Sequence, residues 1–247
     1  MRSLFLILLL TLGVSRAQAE SLVISAASSL TNALQEVGQA FMREHPTTHI
    51  EFNWGGSGAL SQQIRAGAPV DVLVSASDKV MDKLQTESLI DPASRAVLVH
   101  NQLVLIVPRG SSQPIHDFTD LARLTKISIG DPRFVPAGQY ATEVLAFYDL
   151  QQRVKSHLIF AANVRQVLTY VAQQEVEAGV VYKTDAMEMA QNVSVVAVAP
   201  EDSHSPIVYP AAIIKGSQHT ALAEQFLTFC GSVQAKTIFT RYGFQLP

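Results

Sequence analysis

Residues 22–87 alternate short apolar runs with stretches whose apolar positions recur at helical spacing. In the first of these stretches, Leu30, Leu34, Val37 and Phe41 repeat every three or four residues, which is typical of one buried helix face. The pattern predicts strands over 22–25, 49–54 and 70–75 and helices over 29–43, 59–66 and 77–87. Strands and helices in this order form a parallel sheet covered by helices on both faces.

A second alternating set follows the first. The apolar run 96–107 is too long for one ordinary strand, so it predicts two strands, or one long strand that bridges two lobes. Beyond it, the pattern predicts strands over 126–130, 179–182, 193–199 and 207–214 and helices over 137–148, 164–174, 185–190, 219–230 and 232–241. The elements up to residue 199 make a second α/β unit, and the two C-terminal helices would dock on the first unit, to which the chain returns near residue 210.

Two such units joined by two extended connections predict a two-lobed α/β protein. We expect each lobe to hold a mainly parallel sheet flanked by helices. Lobe 1 would comprise residues 20–100 and 210–247, and lobe 2 residues 101–209, with two extended hinge crossovers between them. A ligand of such a protein lies in the cleft between the lobes.

The N-terminal segment has a pattern of its own. Its apolar run over 4–14 is far shorter than the roughly 20 residues that a membrane-spanning helix needs. The run leads into Ala17-Gln18-Ala19, which is typical of a signal-peptidase site. We expect residues 1–19 to be a signal peptide cleaved after Ala19, rather than an uncleaved anchor. The single cysteine, Cys230, is far from this position, so we expect a soluble exported chain without a lipid anchor.

Composition narrows the classes of function. The chain has 247 residues, of which 48% are hydrophobic and 16% charged, and its net charge is −3. High apolar content with little net charge excludes a disordered chain, and 18 basic against 21 acidic residues disfavour a nucleic-acid partner. One cysteine excludes a multi-cysteine metal site. Pro46 interrupts the helix that His45 and His49 would need to hold zinc.

Two serine-containing turns follow neighbouring strands of the first unit. Ser28-Ser29 follows the first strand, and Gly55-Gly56-Ser57-Gly58 follows the second. The carboxyl ends of parallel strands meet at one edge of a sheet, and a helix start there offers unpaired N–H groups and a partial positive charge. The two turns therefore predict an anion site, with simple N-capping by serine as the structural alternative.

An enzymatic alternative rests on the same glycine-rich turn. The segment 55–59 is similar to the nucleophile elbow of serine hydrolases, with alanine in place of the last glycine. With Ser57 as nucleophile, Asp185 and either His204 or His219 would complete the Ser…Asp…His order of those enzymes. That elbow normally follows several strands rather than the second one, which disfavours the alternative.

The second unit offers further donors. Pro136 fits the first turn of a helix, so the N–H groups of Ala137 and Gly138 would face the cleft. Asn163-Val164-Arg165 opens another helix, and Tyr182 ends a strand with a phenol that can donate a hydrogen bond. Ordinary turn and cap chemistry is the alternative for each of them.

Several motifs, in order along the chain, resemble those of one family. They are AASSLTNA over 26–33, the glycine-rich turn 55–58, GAPVDV over 67–72, GDP over 130–132 with VPAG over 135–138 and Tyr140-Ala141, GVVY over 179–182 with Asp185-Ala186, and RYGF over 241–244. Over nearly the whole chain beyond residue 19, these motifs resemble the periplasmic molybdate-binding proteins of bacterial molybdate ABC transporters.

The resemblance implies a type II periplasmic binding protein with no enzymatic activity and no cofactor. It implies ligand contacts at Ser29, Ser57, Ala137, Val164 and Tyr182, with molybdenum held only as the molybdate oxyanion and by no side-chain metal ligand. It also implies a periplasmic monomer that delivers molybdate, and tungstate, to an ABC permease in the inner membrane. The family often has serine or threonine where this chain has Gly58, so more of the binding would fall to backbone N–H groups.

The chemistry of these positions fits an oxyanion without a proton. Molybdate is a doubly charged anion that carries no proton at neutral pH, so a site for it needs only hydrogen-bond donors. Phosphate carries a proton and needs an acceptor such as a carboxylate, and none of the five positions is acidic. Sulfate has the charge and shape of molybdate but is smaller, so a sulfate receptor is an alternative that cavity size decides.

Overall fold

The computed structural model describes residues 20–247, and the elements below are those of this range. The strands are β1 Glu20–Ala27, β2 Thr48–Gly55, β3 Val72–Val74, β4 Ala96–His100, β5 Leu103–Pro108, β6 Ile127–Gly130, β7 Leu158–Ala161, β8 Ala178–Tyr182, β9 Val193–Val198 and β10 Val208–Ile213. The helices are α1 Thr31–Glu44, α2 Ser57–Arg65, α3 Asp78–Thr86, α4 Pro136–Phe147, α5 Gln151–Val154, α6 Val164–Ala172, α7 Lys183–Glu188, α8 Thr220–Cys230 and α9 Val233–Arg241.

The strands form two five-stranded sheets. The first has the order β2-β1-β3-β10-β4 and the second the order β7-β6-β8-β5-β9. In the first sheet β1 pairs in parallel with β2 and β3, while β10 runs antiparallel to β3 and β4. In the second, β6 pairs in parallel with β7 and β8, while β5 runs antiparallel to β8 and β9. Each sheet with the helices packed against it is called a lobe below.

The two-lobed α/β fold is confirmed, but both sheets are mixed rather than mainly parallel. The difference arises at the strands that connect the lobes. The run 96–107 forms two strands, β4 in the first sheet and β5 in the second, separated by Asn101 and Gln102. The chain returns from β9 to β10, and both β5 and β10 run against their neighbours. The exact lobe limits, 100/101 and 209/210, stay a prediction.

The core lies between the sheets and the helices that cover them. Leu22 and Ile24 of β1 are fully buried, and α1 buries Leu34, Val37 and Phe41 on one face. Burial of a side chain of this size contributes roughly 1.5–3 kcal/mol. The connecting strands β5 and β10 are buried along their whole length because they lie inside their sheets. The crossover is therefore anchored in both cores.

Some local expectations differ from the structure. Helix α2 begins at residue 57 rather than 59, which puts Ser57 in its first turn. Strand β7 was not predicted from the apolar pattern, because its side chains are largely half-buried or exposed at a sheet edge. The expected signal peptide, residues 1–19, lies outside the described residues. Across residues 20–247, none of the helices combines the length and the apolarity that crossing a membrane requires.

Candidate functional site

The two serine-containing turns lie at one edge of the first sheet. The register pairs Ala27 at the end of β1 with Gly55 at the end of β2, and Ala26 with Val74 at the end of β3. A short 3-10 turn over 28–30 follows β1, and α2 follows β2. The two turns therefore leave neighbouring strands at the same carboxyl edge, as the spacing of the motifs predicted.

Ser57 is fully buried in the first turn of α2. Its Oγ accepts a hydrogen bond from the backbone N–H of Ala76 at 2.9 Å. A backbone N–H can only donate, so the serine oxygen acts as the acceptor and its own proton is left for another partner. The Ser57 hydroxyl is thus prepared to donate.

Ser29 is buried in the turn after β1. Its Oγ lies 2.9 Å from the hydroxyl oxygen of Tyr209, and the same hydroxyl accepts a hydrogen bond from Asn101 Nδ2 at 3.1 Å. Burial raises the pKa of the Tyr209 phenol well above its usual value, so the phenol keeps its proton at neutral pH. Neither Asn101 nor Tyr209 was predicted as a site residue.

The second lobe contributes backbone donors at two helix starts. In the first turn of α4, Pro136 has no N–H, and the N–H groups of Gly138 and Gln139 both donate to Val135 O. The Gly138 N–H is therefore used within its own turn, contrary to the expectation from the sequence. Within residues 20–247, the N–H of Ala137 has no such partner. In α6, the side chain of Asn163 accepts from a later residue of the first turn, and the N–H of Val164 is likewise left over in the described range.

Tyr182 is the last residue of β8 and is almost completely buried. Its hydroxyl has no hydrogen-bond partner among the described residues. Burial raises the pKa of this phenol well above its usual value, so it also keeps its proton. The Tyr182 ring lies against that of Tyr209, with 5.8 Å between the ring centres. A buried hydroxyl without a partner is costly, which makes this atom a strong candidate for ligand contact.

Direct contacts between the lobes bring the segments that carry these groups together. The N–H of Gly58 donates to Phe134 O at 2.9 Å. The Tyr140 hydroxyl, one turn along α4 from Ala137, lies 3.4 Å from Ala76 O. The Ser29 carbonyl accepts from Arg165 Nη2 at 3.4 Å. All five residues predicted from the resemblance therefore lie on turns, helix starts or strand ends of one interlobe region.

Gly58 has a role that the sequence did not predict. A Cβ atom at this position would lie 2.7 Å from Phe134 O and 2.8 Å from Phe134 Cα, and backbone atoms cannot move away as a flexible side chain can. The expectation at Gly58 concerned a missing hydroxyl. The structure adds that glycine lets this turn touch the backbone of the opposite lobe.

The buried charges beside this region balance each other. Arg165 Nε lies 2.6 Å from Asp185 Oδ1, and Asp185 is fully buried. Burial raises the pKa of Asp185 to about 6, against the opposing effect of Arg165. The carboxylate of Glu188 is 4.0 Å from the same guanidinium. The five predicted positions themselves carry no charged side chain.

The catalytic arrangement considered from the sequence is not assembled. Ser57 Oγ pairs with a backbone N–H, and Asp185 pairs with an arginine. The ring Nδ1 of His204 lies 2.8 Å from Ser205 O. Nor do the described residues hold a group of three or more histidine, cysteine or carboxylate side chains suited to a metal ion. His45 stacks on Phe41 instead.

This chain is similar to known proteins over nearly its whole length. The family model of bacterial extracellular solute-binding proteins matches residues 22–245. A Haemophilus influenzae protein named molybdate-binding protein ModA is 39% identical over 243 residues, which cover 96% of this chain and 95% of that protein. A Bacillus subtilis protein named as an ABC transporter substrate-binding lipoprotein is 41% identical over 224 residues, which cover 91% of this chain and 86% of that protein.

Solved structures share the fold. The periplasmic molybdate-binding protein of Azotobacter vinelandii superimposes with a TM-score of 0.81 at 26% identity, over 92% of this chain and 99% of that one. The sulfate-binding protein SubI of Mycobacterium tuberculosis superimposes with a TM-score of 0.79 at 18% identity, over 92% of this chain and 87% of that one. The second similarity concerns the fold alone, so the fold does not decide between the two oxyanions.

Proposed function

The chain belongs to the bacterial extracellular solute-binding proteins and, among them, to the molybdate-binding ModA proteins, and we propose that it captures molybdate between its lobes and delivers it to an ABC permease. The observation that carries the proposal is the set of buried donors without partners in one interlobe region. The hydroxyl of Tyr182 is the clearest of them, because it is buried and has no partner within residues 20–247.

We assign the ligand contacts to five residues. Ser29, Ser57 and Tyr182 would donate from their hydroxyls, and Ala137 and Val164 from their backbone N–H groups. The helix starts that carry Ser57, Ala137 and Val164 also direct the positive ends of their dipoles toward an anion. These neutral groups can hold a dianion without a charged side chain in contact with it.

The protonation state of the anion supports molybdate over phosphate. All five groups donate, and the buried carboxylate nearest to them, Asp185, is engaged by Arg165. A protonated oxyanion would direct its own O–H at a donor and lose one hydrogen bond, which costs about 1–3 kcal/mol in a buried site. Tungstate has nearly the size of molybdate and would bind as well, whereas sulfate must be rejected by its smaller size.

Thermal unfolding tests the choice of anion. A ligand that binds only the folded state stabilises it by RT ln(1 + [L]/Kd), so the melting temperature rises with the logarithm of the ligand concentration once that concentration exceeds Kd. We expect molybdate and tungstate to raise the melting temperature of residues 20–247 at micromolar concentration, and sulfate and phosphate to require far more. A larger shift with sulfate would replace the molybdate assignment by that of a sulfate receptor.

The setting of this protein is part of the same proposal. We propose export with cleavage after Ala19, a monomeric carrier, and no lipid anchor, since the sole cysteine of the chain is Cys230, which is buried. Intact-mass measurement of the protein from the cell envelope tests this. A mature chain that begins at Glu20 without added lipid mass is expected, and a mass increase by acyl groups would contradict it.

A further inference from the structure

A chain of hydrogen bonds runs from the crossover between the lobes to Ser29. It begins at Asn101, in the link between β4 and β5. The Asn101 Oδ1 atom accepts from the backbone N–H of Gln102 at 2.9 Å. This bond fixes which end of the amide is oxygen, because a backbone N–H cannot pair with the NH₂ group.

The NH₂ group of Asn101 is consequently directed inward. Its Nδ2 donates to Thr184 Oγ1 at 2.9 Å and to the Tyr209 hydroxyl at 3.1 Å. Both amide protons are thus used, and the Tyr209 oxygen is an acceptor in this bond. The phenol still carries its own proton, since burial raises its pKa.

Among the described residues, the Tyr209 proton has one acceptor at hydrogen-bond distance. Besides Asn101, which can only donate through Nδ2, the hydrogen-bond partner of this hydroxyl among residues 20–247 is Ser29 Oγ at 2.9 Å. Tyr209 therefore donates to Ser29, and Ser29 Oγ accepts. The serine proton must then turn away from Tyr209, toward the interlobe region.

We propose that Asn101 and Tyr209 are positioning residues that hold the Ser29 hydroxyl as a donor toward the bound anion, so that the site favours oxyanions without a proton. The inference rests on the proposed function and deepens it. It names two residues, Asn101 in the link between β4 and β5 and Tyr209 near the start of β10, that set the polarity of a ligand contact without touching the ligand.

These hydrogen bonds suggest a variant in which donor and acceptor are exchanged between Tyr209 and Ser29. In Asn101→Asp, the carboxylate accepts the Tyr209 proton, so Tyr209 must accept from Ser29, and the serine then presents a lone pair to the anion. Tyr209→Phe removes the hydroxyl that links Asn101 to Ser29, so the Ser29 hydroxyl can rotate freely. The double variant therefore separates hydrogen-bond polarity from simple charge repulsion, because the carboxylate is still present but can no longer act on Ser29 through Tyr209.

Calorimetric titration with molybdate across the four proteins tests the proposal. We expect Tyr209→Phe to weaken binding about tenfold and Asn101→Asp about a hundredfold. The double variant should recover to within about threefold of Tyr209→Phe alone. Tyr148→Phe is the matched control, since it removes a phenol that follows the C-terminal end of α4, the opposite end of that helix from Ala137. It should bind as the wild type does.

Selectivity gives a readout that a general loss of packing would not change. In Tyr209→Phe, Ser29 can accept a proton, so the preference for molybdate over phosphate should narrow by about tenfold. A double variant as weak as Asn101→Asp, or an unchanged preference in Tyr209→Phe, would overturn the proposal while the function stands. Failure of the wild-type protein to bind molybdate would overturn the proposed function and this inference together.

Discussion

The turns that carry Ser29 and Ser57 occupy equivalent places at the ends of neighbouring strands, yet their hydroxyls are oriented by different means. Ser57 accepts from the backbone N–H of Ala76, so the donor of this bond belongs to the main chain and not to a side chain. Ser29 contacts Tyr209, which in turn contacts Asn101. The Ser57 turn is therefore set by the backbone, and the Ser29 turn by side chains from the crossover.

The difference extends to how each turn meets the second lobe. Gly58 approaches the backbone of Phe134 directly, whereas the Ser29 carbonyl contacts the side chain of Arg165, which is paired with Asp185. A backbone contact tolerates almost no added volume. A side-chain contact tolerates more, but it depends on ionisation. The two halves of one site should thus fail in different ways.

The largest loss of affinity is expected for Gly58→Ala. The added methyl group would overlap Phe134 backbone atoms at 2.7 and 2.8 Å, so the lobes cannot close as they do here. We expect molybdate binding to weaken by more than about 3 kcal/mol, from overpacking together with the lost interlobe hydrogen bond. Calorimetry measures the loss, and small-angle scattering should find a more open protein in the presence of molybdate.

Gly231→Ala provides the control for this substitution. A Cβ there would meet one atom, Thr228 O, at 3.3 Å, and the residue follows α8, away from the interlobe region. Its affinity should equal that of the wild type. Full affinity in Gly58→Ala would contradict the assignment of this glycine to lobe closure.

Intermediate losses are expected for Ser57→Ala and Ser29→Ala, of about 1–3 kcal/mol each in molybdate binding. The loss should be at least as large for Ser57→Ala, because the stranded N–H of Ala76 is part of the backbone, while the Tyr209 hydroxyl can rotate. Ser128→Ala, which removes another buried serine that donates to a backbone carbonyl, should leave the affinity unchanged. Wild-type affinity in Ser57→Ala would refute its contact with the ligand.

The smallest effect on affinity is expected for Asp185→Asn, which acts mainly on stability. The pKa of Asp185 is raised by burial from 3.8 to about 6, so the folded state binds more protons than the unfolded state between these values. The contribution of this group to stability is therefore present below about pH 4 and is lost as the pH rises through about 6.

Urea unfolding at several pH values checks the sign. Relative to the wild type, Asp185→Asn should gain about 3 kcal/mol in free energy of unfolding between about pH 4 and pH 7. A gap between the two proteins that stays constant with pH would show that the carboxyl is not held with a raised pKa. The Ser57 half of the site should not respond to this substitution.

The sequence predicted most of the fold because the apolar periodicity of its helices and strands is strong. Helix α1 is an example, with one buried face from Ala33 to Phe41. The mixed pairing was not predicted, because the residues of β5 and β10 do not indicate whether their neighbours in the sheet run parallel or antiparallel to them. Those neighbours come from distant parts of the chain. For the site, glycine and serine at strand ends indicated donors, and the family resemblance named the five residues, whose ligand contacts stay a prediction.

Asn101 and Tyr209 could not have been found from spacing alone. They are separated by 108 positions. Asn101 stands among polar neighbours, between His100 and Gln102, and Tyr209 stands between Val208 and Pro210. The one available signal is that both fall where the chain passes between lobes. The close approach of Gly58 to Phe134 likewise becomes visible only in the structure, because it is a contact between the two lobes.

The most direct test of a site built only from donors is competitive calorimetry on the wild-type protein, with molybdate, sulfate and phosphate titrated under the same conditions. We expect molybdate to bind at least about a hundredfold more tightly than either sulfate or phosphate, a difference of about 2.7 kcal/mol. Phosphate binding as tight as that of molybdate would contradict the donor-only site, because a protonated oxyanion would then have found an acceptor.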